Sequence, residues 1–181
     1  MWNAVDNEKC SVRVLRPQEY NENLSRMLGI FDEFFLSNAG VNSYYTPKGS
    51  QGFAPHWDDV DTFILQTEGS KRWKVYRTPK EDTLPRYSSD DFKHDETFLE
   101  KPFLDELLKA GDILYMPRGW IHQGKTNPEN ISHHVTVSSN QANTWADYLE
   151  KLLKLSLDTI AKEDVEFRYT LPKNMYDFLG A

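Results

Sequence analysis

His56 and Asp58 stand two residues apart in Ala54-Pro55-His56-Trp57-Asp58, at the start of a predicted strand. That spacing puts an imidazole and a carboxylate on one face of an extended chain, within reach of a single metal ion. A second histidine would complete the facial set of two His and one carboxylate that leaves three positions open on iron(II). His122 is the leading candidate, in Met116-Pro117-Arg118-Gly119-Trp120-Ile121-His122-Gln123-Gly124. Pro-Arg-Gly ends a strand there, and an irregular loop can turn the side chain inward. Alone, His-x-Asp is weak evidence, because a surface loop beside the acidic run Asp58, Asp59 and Asp61 would carry it. Lys71 and the strand His133–Ser139 strengthen it. Alternation in that strand sets His134, Thr136 and Ser138 against Val135 and Val137. A polar face on a barrel strand is unusual unless it lines a site.

The elements that must position these residues follow from periodicity. Val12–Leu15 reads as a short strand. From Pro17 to Phe35, apolar residues at Tyr20, Leu24, Met27, Leu28, Phe31 and Phe35 make a helical stripe that Pro17 is placed to open. Val41–Thr46 alternates, with Asn42, Tyr44 and Thr46 on one face and Val41, Ser43 and Tyr45 on the other. A loop over Pro47–Pro55 leads to Trp57–Thr67 and Arg72–Tyr76, which flank Glu68-Gly69-Ser70-Lys71 as a predicted tight hairpin. Arg77–Lys101 is a polar, proline-containing surface excursion. Ile113–Met116 and His133–Ser139 are the remaining strands. From Thr144 the chain is helical, with Trp145, Tyr148, Leu149, Leu152, Leu153 and Leu155 forming an apolar face too broad for a simple surface helix. It is expected to pack on a partner subunit or on further chain. Strands in the middle and helices at both ends predict a small antiparallel barrel or jelly roll with helical flanks.

Composition narrows the classes. The chain has 181 residues, 39% apolar and 13% aromatic, enough for one domain with a real core and too aromatic for disorder. No run of 18 apolar residues is present, and Met1–Arg13 has no apolar stretch of the signal-peptide kind. A single cysteine, Cys10, rules out an internal disulfide or a zinc finger, and a reducing compartment is expected. The net charge of -7 is a poor match to nucleic acid but suits a basic polypeptide partner. His94, in a charged loop, and His133, facing away from the polar strand face, read as non-ligands. His134 reads either as a support for the site or as a satisfied core histidine.

Several stretches resemble the JmjC oxygenases, and within them the ribosomal oxygenases, nucleolar histidyl hydroxylases also described as histone lysine demethylases. The resemblance rests on Asn42-Ser43-Tyr44-Tyr45-Thr46-Pro47, Ser50–Asp59, Leu65–Trp73, Gly111-Asp112, Tyr115–Gln123, Asn143-Thr144-Trp145 and the tail Glu163–Arg168 with Leu171-Pro172, in collinear order. It implies a double-stranded β-helix, a cupin-like JmjC barrel, over residues 1–143. Residues 144–181 would begin a helical dimerisation region, without the family's C-terminal winged-helix module. It implies Fe(II) held by His56, Asp58 and His122. Lys71, Asn42 and Thr136 would hold 2-oxoglutarate as cosubstrate, with Lys71 pairing its distal carboxylate. Tyr44, Ser138 and Arg13 would face the substrate. The family usually carries Tyr between the metal His and Asp, and Trp57 stands there in this chain.

The implied activity is a 2-oxoglutarate-dependent dioxygenase that hydroxylates a histidine of a ribosomal protein, demethylates methyl-lysine of histone H3, or both. The implied partners are a basic protein substrate and a second copy of the full-length protein, with no nucleic acid and no membrane. The implied localisation is the nucleus or nucleolus. Two other classes stand beside this one: a catalytically inactive JmjC-like interaction module, and a cupin-type metalloenzyme without 2-oxoglutarate. An intact triad together with Lys71 argues against both.

Overall fold

Alternating segments pair into two antiparallel sheets, seen in a computed structural model that describes residues 2–79, 83–93 and 101–173. The strands are β1 (Val12–Leu15), β2 (Gly40–Thr46), β3 (Asp61–Tyr76), β4 (Leu104–Lys109), β5 (Ile113–Met116), β6 (Ile121–Lys125) and β7 (Ser132–Ser139). One sheet runs β1-β2-β7-β3-β5, and the second is β4-β3-β6. The expected antiparallel β architecture with flanking helices is therefore what forms.

β3 belongs to both sheets. Thr62–Leu65 pairs with β5, Asp61–Gly69 with β7, and Ser70–Tyr76 with β4 and β6. The predicted hairpin at Glu68–Lys71 is thus corrected to a bend within one sixteen-residue strand. A register shift between Gln66 and Glu68 marks a bulge, and Gly69 follows at φ +65°. Both halves of the strand find partners in different sheets, so the chain corners between sheets and does not reverse. Only glycine fits there, because a Cβ would stand 1.9 Å from the Ile131 carbonyl oxygen.

The N-terminal helix also starts later than Pro17. Pro17–Glu19 is a single 3-10 turn, and α2 spans Glu22–Phe35, following a short α1 at Trp2–Asp6. The Asn21 side chain caps α2 by accepting from the Asn23 and Leu24 amides, which a proline one turn earlier does not provide. Its apolar stripe packs Leu24, Met27, Leu28 and Phe31 on Val41, Val135 and Val137, the outward-facing residues of β2 and β7. Tyr20 lies outside the helix and is exposed. Each fully buried aliphatic side chain of this cluster contributes about 1.5–3 kcal/mol. Period two in the strands thus sends valines to α2 and polar residues to the opposite face.

By contacts the chain divides into Met1–Ala142 and Asn143–Ala181. In the second unit α3 (Trp145–Glu163) begins with a capping box: Thr144 Oγ1 accepts from the Asp147 amide, and the Asp147 carboxylate accepts from the Thr144 amide. None of its residues is buried; Trp145, Tyr148, Leu149, Leu152, Leu153 and Leu155 are all exposed. No helix among the described residues is long and apolar enough to cross a membrane. His94 lies outside the described residues.

Candidate metal centre

The two histidines of the triad meet through the backbone. His122 opens the second half of a bridge with His56: each amide donates to the other's carbonyl, at 2.8 and 3.2 Å. His122 sits in β6 and not in an irregular loop, and His56 and Asp58 precede β3 and are not part of it. Pairing places the imidazoles side by side, with ring centroids 4.6 Å apart. The Asp58 carbonyl accepts from the Gly119 amide at 3.0 Å, which ties the aspartate to the Pro-Arg-Gly turn.

Nitrogen and oxygen donors of His56, Asp58 and His122 lie within 4.8 Å of one another. Asp58 Oδ1 stands 3.8 Å from His56 Nε2 and Oδ2 stands 3.6 Å from His122 Nε2. Each Nδ1 faces a backbone carbonyl, Ala54 for His56 at 2.7 Å and Trp120 for His122 at 3.0 Å. A carbonyl only accepts, so both Nδ1 atoms carry a proton, and each Nε2, on the Asp58 side, is the atom left to bind a metal. Burial, with His56 alongside, pushes the His122 pKa down to about 4, keeping it neutral at pH 7 as a ligand must be. Two imidazoles and one carboxylate are the donor set of a facial iron(II) site.

At the other end of the same cavity Lys71 is 4% exposed. Its Nζ donates to Thr46 Oγ1 at 3.1 Å and lies 5.1 Å from the centre of the Trp73 ring. No carboxylate among the described residues pairs with it, and burial pushes its pKa down to about 8. An unpaired buried ammonium is costly unless an anion arrives. Gly124 makes room for its stem, because a Cβ there would meet Lys71 Cε at 2.8 Å and Trp73 at 3.1 Å.

Between these ends three strands present a polar grid. Register sets Asn42 beside Thr136, Tyr44 beside His134, and Gly40 beside Ser138 across β2 and β7. On the other side β3 sets Ile64 beside Thr136 and Thr62 beside Ser138. A cavity of about 420 Å³ takes its walls from this grid and both ends, and Arg13, Asn42, Tyr44, Thr136 and Ser138 all line it. All nine residues singled out from the sequence therefore reach one space. The Arg13 guanidinium lies 5.6 Å from the Tyr44 ring centre and, with the Asn42 amide oxygen turned toward it, donates from Nη2 at 3.3 Å. Burial pushes the Tyr44 hydroxyl pKa up, keeping it protonated. His133 faces the other way, bonded to Ser43 Oγ and Thr67 Oγ1.

Trp73, Ser88 and Gly124 also line the cavity and were not singled out. Trp73 was legible, since alternation after Lys71 puts Trp73 and Val75 on its face. Ser88 had no local signal. It arrives because the surface excursion folds back: Ser88 Oγ bonds Asp59, and Ser89 Oγ accepts from the Trp57 amide. Trp57 points into that excursion, its Nε1 donating to the Tyr87 carbonyl.

The profile of the JmjC domain matches residues 13–148. The chain is 46% identical over 182 residues to ribosomal oxygenase 1 of Gallus gallus, covering 99% of this chain and 30% of that protein. It is 43% identical over 175 residues to the bifunctional lysine-specific demethylase and histidyl-hydroxylase NO66 of Dictyostelium discoideum, covering 96% and 34%. The chain thus spans about a third of the length of these relatives. Among solved structures it is similar to ycfD of Escherichia coli, at TM-score 0.63 and 23% identity over 91% of this chain and 41% of that one. Another structure of that protein, a ribosomal oxygenase, holds cobalt and 2-oxoglutarate, with TM-score 0.59 and 23% identity over 91% of this chain and 40% of that one. At this identity the likeness speaks for the fold.

Proposed function

The chain belongs to the JmjC domain family, and from that membership we propose that it carries an iron(II)- and 2-oxoglutarate-dependent oxygenase activity on a protein side chain. The observation that carries the reading is one cavity with a His56–Asp58–His122 donor set at one end and an unpaired buried Lys71 at the other. Iron(II) at the triad supplies, with 2-oxoglutarate and dioxygen, the oxidation that inserts oxygen into a C–H bond. The protein's own residues do the rest. Nδ1–H bonds to Ala54 and Trp120 aim both Nε2 lone pairs, and Asp58 offers the negative charge. Lys71 receives the distal carboxylate of the cosubstrate, and Asn42 and Thr136 flank it from neighbouring strands. Tyr44, Arg13 and Ser138 present a hydroxyl, a cation and a second hydroxyl to the substrate side chain.

The relatives, named a ribosomal oxygenase and a lysine-specific demethylase and histidyl-hydroxylase, support histidine hydroxylation or lysine demethylation as the reaction; a ribosomal-protein histidine and a methyl-lysine of histone H3 are the targets we propose for it. From the sequence resemblance to the nucleolar ribosomal oxygenases we also propose a nuclear or nucleolar place of action for the whole protein and its assembly as a homodimer. Mass spectrometry tests the reaction directly, after incubation with iron(II), 2-oxoglutarate and oxygen. A gain of one oxygen on a histidine-bearing ribosomal peptide identifies a histidyl hydroxylase. Loss of methyl groups from a methylated histone H3 peptide identifies a demethylase. Neither change, with no succinate formed, overturns the enzymatic reading.

A further inference from the structure

Cross-strand pairing puts His134 in the cavity wall between Tyr44 and Trp73, where neither the triad nor Lys71 gives it a task. Its ring is 2% exposed, stacked on Tyr44 with centroids 4.9 Å apart and planes at 9°. It meets Trp73 edge-on at 5.4 Å and 85°. Lys71 Nζ lies over the same indole, so the cation and the imidazole share one neighbour. The ring is clamped, yet no described residue hydrogen-bonds either nitrogen, and Nδ1 is sealed from solvent without a partner. Its neighbour on the strand, His133, has both nitrogens bonded. A buried imidazole normally finds partners; with Nδ1 sealed, Nε2 is the nitrogen that a ligand beside the unpaired ammonium can reach.

Charge decides what that ligand sees. Burial, with Lys71 and then His133 adding to it, pushes the His134 pKa down to about 2, so the ring is neutral. It carries one N–H and one lone pair. A carboxylate offers about four lone-pair sites, more than one ammonium already bonded to Thr46 can fill. A second cation here would repel Lys71, whereas a neutral donor adds a bond and no charge.

We infer that His134 is a second anchor for the carboxylate that Lys71 receives, donating a neutral imidazole N–H to the distal end of 2-oxoglutarate. This rests on the proposed function. Lys71 supplies the charge, and His134 supplies direction, because stacking on Tyr44 fixes the plane of its ring.

Calorimetric titration of 2-oxoglutarate into the full chain loaded with Mn(II) tests this without turnover. His134→Phe keeps a stacked ring and removes the donor. It is expected to bind 2-oxoglutarate about tenfold more weakly or worse, as for a lost hydrogen bond to a charged group, with Mn(II) affinity unchanged. His134→Gln returns an amide N–H near the Nε2 position and is expected within about threefold of wild type. Wild-type affinity in His134→Phe overturns the inference, as does an equal loss in both variants. Failure of the wild-type chain itself to bind 2-oxoglutarate overturns the proposed function and this inference together.

Discussion

At the His56–Asp58–His122 end of the cavity every imidazole is held twice, by a backbone bridge and by an Nδ1 hydrogen bond to a carbonyl. At the Lys71 end a buried ammonium has a hydroxyl and an indole face for company. The first end is finished before any ligand arrives, its geometry fixed by main-chain atoms. The second is left electrostatically open, and its cost is borne by the fold until an anion offsets it. Preorganisation and stored charge are thus separated along one cavity.

Three measurements probe that contrast, in order of expected effect. Asp58→Ala removes the carboxylate that stands between the two imidazoles. Mn(II) affinity is expected to fall at least about hundredfold, since supporting groups alone account for 10- to 100-fold. Calorimetry reads it, and retained metal affinity would break the assignment of the closed end. Lys71→Met should act in two directions. The affinity for 2-oxoglutarate is expected to fall by about 2–4 kcal/mol, as when one partner of a buried charge pair is truncated. The ligand-free protein is expected to gain about 1–3 kcal/mol by losing an unpaired buried charge, read as a higher Tm. A lower Tm would mean the lysine is already satisfied. The smallest effect is the pH dependence. The dicarboxylate binds the charged lysine, which the free protein loses as pH rises through about 8. Affinity is therefore constant below that value and is expected to weaken above it by at most about tenfold per pH unit. Lys71→Met should abolish that slope.

Much of this was readable from local pattern. Alternation in Val41–Thr46 and His133–Ser139 sorted valines from polar residues, and the structure puts the former on α2 and the latter on the cavity. Periodicity also found α2, although Asn21 and not Pro17 starts it. The region around Gly69 was misread for a physical reason. Gly at positive φ serves a hairpin and a strand corner alike, and only the partners of the flanking residues distinguish them. Leu104–Lys109 and Ile121–Lys125 escaped because their burial patterns are irregular and the second carries His122 amid polar residues.

What the sequence by itself determined is the chemistry: two imidazoles, one carboxylate and one lysine, with strands whose period-two faces carry the rest. Residue type and side-chain period are local properties, so they survive without coordinates. Tertiary structure alone decided how those groups meet. Cornering of β3 at Gly69 turns Lys71 into the interior, and the His56–His122 bridge sets two distant histidines side by side. The excursion through Ser88 closes on Asp59, and His134 is left with idle nitrogens beside a lone cation. Each of these depends on which strand lies next to which, a long-range pairing that no local spacing encodes.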